Sequence, residues 1–348
     1  MKANYSIPSN VKKAALVLMQ YDYGVKERGY SFEYINVYQP MCDILGEENV
    51  ILFDFYDLYK SKGKDYMNQQ LLAFIKSEKP DFTLFCLFEN EFNENTINEL
   101  KNYTTTIAYF FDDPWRKKFV KHWIKYFHFF STPDYYMYKS YIADGLNKAI
   151  LSPFGFNENV YFKKELPQKY EVSFVGGYSP LRKWIIEYLA KENISVKVFG
   201  RGWNNDKAFI SQEEMVNVFN QSIINLNLSN GISKDIGMLA SSIKSLKGIK
   251  HILLNRKNKE QVKGRHFEIN ACGGFQLSYF VPGLNLVYEI DKEIAVYEDI
   301  YNLADEIKLF LKNESMRTEI ALNGYDRSIK EHSAQKYLCN LINCMFNK

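Results

Sequence analysis

Along most of this chain, short runs rich in β-branched and aromatic residues alternate with longer stretches of helical period, the pattern of parallel α/β architecture. In the first half the strand candidates are residues 14–20, 50–53, 81–88, 106–111, 128–131 and 149–152. Most are apolar on both faces, as strands covered by helices on both sides of a sheet must be. Helical patterns at 34–45, 66–76, 94–102 and 134–143 lie between them, long enough for right-handed crossovers. Residues 157–170 (NENVYFKKELPQKY) are polar, contain Pro167 and keep no period, which predicts a linker. Alternation then resumes, with strands at 171–175, 195–199 and 223–228 and helices at 180–191 and 213–220. A polar insertion around 230–261 follows, then helices at 265–272, 303–312, 315–324 and 334–346. No repeat of about 20–50 residues is visible. The pattern predicts an α/β chain of two Rossmann-like domains, 1–156 and 171–333, facing each other across a cleft.

Composition narrows the class. The 348 residues hold 44 Lys+Arg against 41 Asp+Glu, a net charge of +3, which is no electrostatic footprint for nucleic acid. Five widely spaced cysteines, with no C-x-x-C pair, suggest a reducing compartment. The first apolar run, 14–19, is too short for a signal peptide, and no stretch approaches the ~20 apolar residues of a membrane span. The expected location is cytoplasmic, extending at most to peripheral contact with the inner membrane surface. Aromatic residues make up 16% of the chain, with 26 Tyr and 26 Phe, and tyrosine suits half-wet clefts as well as cores.

In open parallel sheets ligands bind beyond the carboxyl ends of strands, so the residues that follow each strand are the first candidates. After the first strand come Tyr21, Asp22, Tyr23 and Gly24. After the fourth come Asp112, Asp113, Pro114 and Trp115: a carboxylate pair that can act as a base or orient a hydroxyl, with Asp113 equally suited to cap a helix that starts at Pro114. Gly176 and Gly177, with Arg182 in the first helical turn, form a phosphate-cradle pattern. It is not the G-x-G-x-x-G fingerprint, so no nicotinamide cofactor is indicated. Gly200-Arg201-Gly202 is a weaker version of the same strand exit. The most specific stretch is Glu260–Gly274, where Arg265, Glu268 and the Cys272-Gly273-Gly274 stop fall around one short helix and Glu260 lies eight residues before Glu268. No metal-ligand spacing is present.

Residues 264–342 resemble the C-terminal domain of GT-B glycosyltransferases, and within them the spore-maturation CgeB-like group of family-1-type enzymes. The residues carrying the likeness are Arg265, Phe267, Glu268, Ala271, Cys272, Gly273, Gly274, Pro282, Gly283, Glu293, Gly324 and His332. Upstream, Phe174-Val175-Gly176 with Arg182, Phe199-Gly200, Ser131-Thr132-Pro133 and Ser152-Pro153-Phe154-Gly155 also follow the group. The resemblance implies transfer of a sugar from a UDP- or GDP-type nucleotide-sugar donor to a hydroxyl of a glycan, lipid-linked glycan or protein acceptor. It places the donor on the C-terminal domain, with Glu268 on the ribose, Gly273 and Gly274 beside the donor, and Arg182 and Arg265 neutralising the diphosphate in place of a metal. Residues 334–348 are expected to pack back on the N-terminal domain, which takes the acceptor.

Glu260 and Glu268 also satisfy the Glu-x7-Glu spacing seen in many retaining GT-B enzymes. The insertion ahead of Glu260 leaves inversion open, with Asp112 or Asp22 as the base. A catalytically silent nucleotide-sugar-binding subunit and a sugar-nucleotide epimerase are the alternative functions. Tyr21, Tyr23, Tyr30, Trp115, Tyr135, Tyr136, Tyr178 and Trp203 are the aromatic candidates for stacking on sugars or bases.

Overall fold

The computed structural model describes residues 5–203, 210–229, 231, 238 and 259–347. The predicted insertion at 230–261 lies almost wholly outside them. The chain forms two compact units, Met1–Asn157 with Ser333–Lys348, and Glu158–His332.

The first unit is built on a parallel sheet of order β2-β1-β3-β4-β5-β6. Its strands are β1 (Ala14–Leu18), β2 (Val50–Asp54), β3 (Phe82–Phe85), β4 (Thr105–Tyr109), β5 (Phe129–Thr132) and β6 (Ala149–Leu151). Its helices are α1 (Gln39–Leu45), α2 (Phe55–Lys62), α3 (Lys64–Glu78), α4 (Glu94–Leu100), α5 (Asp113–Trp123) and α6 (Tyr135–Ala143). β1 shows why its sequence is apolar throughout. Ala15 and Val17 pack into one core with Met67, Leu71, Val120 and Tyr141. Ala14, Leu16 and Leu18 face the other way, toward Met41, Leu338, Leu341 and Ile342. Alternate side chains of one strand thus serve two cores.

The expected strand at 81–88 stops at Phe85, because the Glu91 carboxylate takes the N–H groups of Phe88 and Glu89 at 2.7 and 2.6 Å. The expected helix at 34–45 opens with a π-helical segment, Tyr34–Tyr38, before α1. α2 was not anticipated; Asp54 caps it by accepting from the Tyr56 N–H, and Gly63, at φ 86°, separates it from α3.

The second unit carries a parallel sheet of order β11-β10-β9-β7-β8. Here β7 is Tyr170–Val175, β8 Lys197–Phe199, β9 Ser222–Asn227, β10 Gln276–Tyr279 and β11 Ala295–Tyr297. Its described helices are α7 (Pro180–Lys191), α8 (Gln212–Gln221), α9 (Gly264–Ala271), α10 (Ile300–Lys312) and α11 (Glu314–Glu331). Residues of the predicted linker are tied to this unit: Tyr161 is buried, and the Lys164 and Lys169 N–H groups bond Asn220 Oδ1 and the Gln221 carbonyl. α11 runs past Gly324, where a stop was expected, because this glycine is a point of close packing: an added Cβ would land on the Glu293 carbonyl.

The last helix, α12 (Ala334–Phe346), belongs to the first unit. The Ala334 N–H bonds the Phe156 carbonyl at 2.8 Å, and the Gln335 amide donates to Asp43 and Asn157.

Candidate functional site

In the second unit, four polar side chains gather where β7 and β9 end and α9 begins. β7 runs into Gly176 and Gly177, and that loop is laced to the exit of β8. The Gly176 N–H bonds the Phe199 carbonyl, Trp203 Nε1 donates to the Gly176 carbonyl at 2.9 Å, and the Tyr178 N–H bonds the Arg201 carbonyl at 2.7 Å. Gly200 (φ 123°) must be glycine, since a Cβ would stand 2.5 Å from the Gly176 carbonyl oxygen. Gly177, by contrast, faces open space, its nearest neighbour being the Arg201 carbonyl at 3.9 Å.

α7 starts with Ser179 capping the Arg182 N–H and Pro180 in its first turn. The Arg182 guanidinium then reaches three carbonyls: Gly177 at 2.8 Å, Leu228 at 3.1 Å and Ser229 at 3.3 Å. It therefore staples the exits of β7 and β9 together, and burial pulls its pKa down to about 10. Glu260 fixes the same exit, accepting from the Ser229 hydroxyl and, at 2.7 Å, from the Gly231 N–H.

One turn into α9, Arg265 and Glu268 are three residues apart and so share a helix face. They form an ion pair in which the Glu268 carboxylate is fully buried and the Arg265 side chain is about one-third exposed (32%). Tyr161 donates its hydroxyl to the other Glu268 oxygen at 2.9 Å. Arg265 Nε lies 3.4 Å from the Val175 carbonyl, and its guanidinium sits 5.4 Å from the Phe219 ring. His266 Nδ1 lies within hydrogen-bond distance of both the Lys263 N–H, at 3.0 Å, and the Lys263 carbonyl, at 3.1 Å, which leaves Nε2 as the ring's other nitrogen. That atom is buried beside Tyr279 without a hydrogen-bond partner among the described residues. Burial lowers the His266 pKa to about 4, so the ring is neutral.

The structure does not bring Gly273 and Gly274 to this edge. They follow the C-terminal end of α9 and precede β10, so they stand at the opposite edge of the sheet. Gly273 (φ 70°) ends the helix, and Gly274 permits close packing: a Cβ there would be 2.7 Å from Asn225 Nδ2 and 2.8 Å from the Phe219 carbonyl. Their expected place beside a donor gives way to helix termination and packing.

In the first unit the β1 exit is rich in rings. Tyr21, Tyr30, Tyr34 and Tyr38 stack in series at centroid distances of 5.5, 4.5 and 4.8 Å. Tyr23 is half-exposed and held at φ 53°, with Arg28 4.8 Å from its ring and Phe88 edge-on. Asp22 pairs with Arg28 at 3.4 Å; burial raises its pKa and the arginine partly offsets this. A carboxyl the sequence reading passed over, Glu33, stands nearby. Burial lifts it to about 7, with Asp22 and Asp54 adding to the rise. An acid in the first turn of a helix is so ordinary that no local signal marked it.

At the β4 exit, Asp112 accepts from Trp115 Nε1 at 3.1 Å. Asp113 is fully buried and takes the Tyr141 hydroxyl at 2.7 Å; it is the first residue inside α5, and the cap position falls on Asp112, whose side chain makes no capping bond. Burial pushes the Asp113 pKa up to about 6 against the opposing Tyr141 and Thr132 hydroxyls. Its expected contact with an acceptor is thereby replaced by a core contact. Tyr135 and Tyr136 are exposed on α6. Among the described residues no group of three or more His, Cys, Asp or Glu could hold a metal ion, and no helix is long and apolar enough to cross a membrane.

A family model described as "Glycosyl transferase-like" matches residues 182–343. No curated protein matches the chain in sequence. Among solved structures, sucrose-phosphate synthase from Thermosynechococcus elongatus superposes with a TM-score of 0.64 at 10% identity, covering 97% of this chain and 99% of that one. A glycosyltransferase from Rickettsia africae gives 0.62 at 11%, covering 97% and 100%. Anabaena HepE in complex with UDP-glucose gives 0.60 at 10%, covering 96% and 99%. With its two parallel sheets of six and five strands, the chain has the α/β fold of GT-B glycosyltransferases.

Proposed function

We propose that the protein is a glycosyltransferase that moves a sugar from a nucleotide-sugar donor to a hydroxyl of a bacterial glycan, lipid-linked glycan or protein, working in the cytoplasm or at the inner membrane surface. The observation that carries this reading is the gathering of Arg182, Glu260, Arg265 and Glu268 at the carboxyl edge of the second sheet, against the start of α9. In the resting protein Arg265 and Glu268 satisfy each other. On donor binding, Glu268 turns to the ribose hydroxyls and Arg265 to the diphosphate, so that one internal pair is exchanged for two contacts with the ligand. Arg201 and the open backbone at Gly177 add positive character where the leaving oxygen gathers charge. Arg182 acts chiefly by holding the two strand exits in register. These groups supply the counter-charge without a divalent ion.

Glu260 lies against the donor sugar in this reading, and the acceptor contacts fall on Tyr21, Tyr23 and Trp115, with Asp22 or Asp112 as base if configuration inverts. The likeness of the C-terminal motif to the CgeB-like group supports the finer assignment, and a protein of the same fold solved with UDP-glucose makes uridine donors the first to try. The test is nucleotide release from a panel of UDP-, GDP-, CMP- and TDP-sugars, with acceptor-containing lysate and with chelator present. Turnover with at least one donor supports the proposal. Tight nucleotide binding without turnover on any donor would instead identify a silent binding subunit.

A further inference from the structure

The outer face of α5 and α6 carries chemistry that sugar transfer does not use. On α5 and just beyond it, Lys118, Lys121, His122 and Lys125 recur at three- and four-residue spacing and form one exposed stripe. Val120 and Trp123 are buried in the core on the other side. A cavity of about 600 Å³ opens along the stripe, its walls including Lys118, Lys121, Lys125, Lys148, Ile124 and Leu146. One carboxylate, Asp144, faces these four lysines.

Part of this charge has a local explanation. Lys148 donates to the Ile124 and Phe127 carbonyls, where a cation at the end of a helix is ordinary. His122 Nε2 lies 2.9 Å from Glu94, and Lys121 lies 3.7 Å from Asp144. Lys118 and Lys125 have neither explanation: both are exposed, and neither has an ion-pair partner among the described residues.

The neighbouring helix adds the second half of the pattern. α6 exposes Tyr135, Tyr136 and Ile142 and carries Lys139, whose ammonium lies 5.6 Å from the Tyr135 ring. Lysines whose alkyl stems line an apolar wall, in a unit that also exposes tyrosines at the start of α6, suit the water–lipid boundary. The ammonium groups meet phosphates there, and the phenol rings settle at headgroup level.

We propose that the α5–α6 face docks the protein peripherally on an anionic phospholipid bilayer, with a headgroup phosphate held in the cavity between Lys118 and Lys125. The inference deepens the inner-membrane location given in the proposed function and rests on it, but its test needs no enzymatic assay, so the two can fail separately. The full chain is sedimented with phosphatidylcholine vesicles, with and without phosphatidylglycerol, and inorganic pyrophosphate is titrated separately.

The expected result is co-sedimentation with the phosphatidylglycerol vesicles alone, abolished by high salt. Each lysine near the surface contributes about fivefold in affinity, so the double variant K118E/K125E should bind at least about 25-fold more weakly. Both positions are solvent-exposed, so an unchanged circular dichroism spectrum and melting temperature should accompany the loss. Equal binding to both vesicle types, no vesicle binding, or full binding by the double variant would overturn the proposal. Pyrophosphate binding without vesicle binding would overturn it too, by identifying the cavity as a site for soluble phosphates.

Discussion

Asp113 gives the most direct test of the physical reading of the first unit. Its carboxyl is fully buried and its pKa is raised from 3.8 to about 6, chiefly by burial, with the Asp134 carboxylate adding to the rise and the Tyr141 and Thr132 hydroxyls and Lys117 opposing it. A folded-state value above the unfolded one means that the folded protein binds this proton more tightly. The group's full stability contribution is present below about pH 4 and is lost as pH rises through about 6. At 1.36 kcal/mol per unit, a rise of about two units is worth about 3 kcal/mol.

Asp113→Asn removes the charge while keeping an oxygen to accept from Tyr141. The variant should match the wild type at pH 4 and exceed it at pH 8 by up to about 3 kcal/mol. For a unit of this size that corresponds to roughly 6–12 °C in melting temperature. Thermal unfolding of both proteins at pH 4, 6 and 8, followed by circular dichroism, measures the difference. Taking the difference cancels the titration of Glu33, Asp22 and Asp54, which also shift upward. A gap independent of pH, or one that closes as pH rises, would refute the account of a carboxylate ionising against its own burial.

Three further outcomes follow from the second unit. Glu268→Ala should weaken uridine diphosphate binding by about 1–3 kcal/mol, the scale of lost charged hydrogen bonds, and calorimetry showing unchanged affinity would remove Glu268 from the ribose. Gly324→Ala lies inside a helix, where alanine ordinarily gains about 1 kcal/mol over glycine. Here the new Cβ would meet the Glu293 carbonyl and, at 3.0 Å, Asn270 Nδ2, so the melting temperature should fall, and a rise would refute the close-packing reading. His266 is buried and neutral with its pKa lowered from 6.5 to about 4, so its contribution is present above about pH 6.5 and lost as pH falls toward 4. His266→Phe should flatten the stability loss of the second unit over that window by about 3 kcal/mol, as measured by denaturant unfolding at pH 4.5 and 7.

What the chain disclosed before folding depended on how far each residue's partner lies along it. β1 was legible because five consecutive apolar residues between polar flanks have no better use than a strand buried on both faces. β10 was not: Gln276 and Ser278 break its apolar pattern, and only the folded unit supplies the Arg265 carbonyl that the Gln276 amide bonds at 3.1 Å. The same limit governs the candidate site. The three-residue spacing of Arg265 and Glu268 is written locally, whereas Tyr161, which holds the second carboxylate oxygen, stands 107 positions away. Arg182 read as a phosphate ligand because two glycines and a helix start surround it, yet the carbonyls of Leu228 and Ser229, 46 and 47 positions on, engage its guanidinium. Short-range pattern therefore names the residue types at a strand exit, and long-range hydrogen bonding decides which of them remains available to a ligand. By that criterion Arg265, one-third exposed and paired to a carboxylate that has its own alternative partner in Tyr161, is better placed than Arg182 to exchange its contact for a diphosphate.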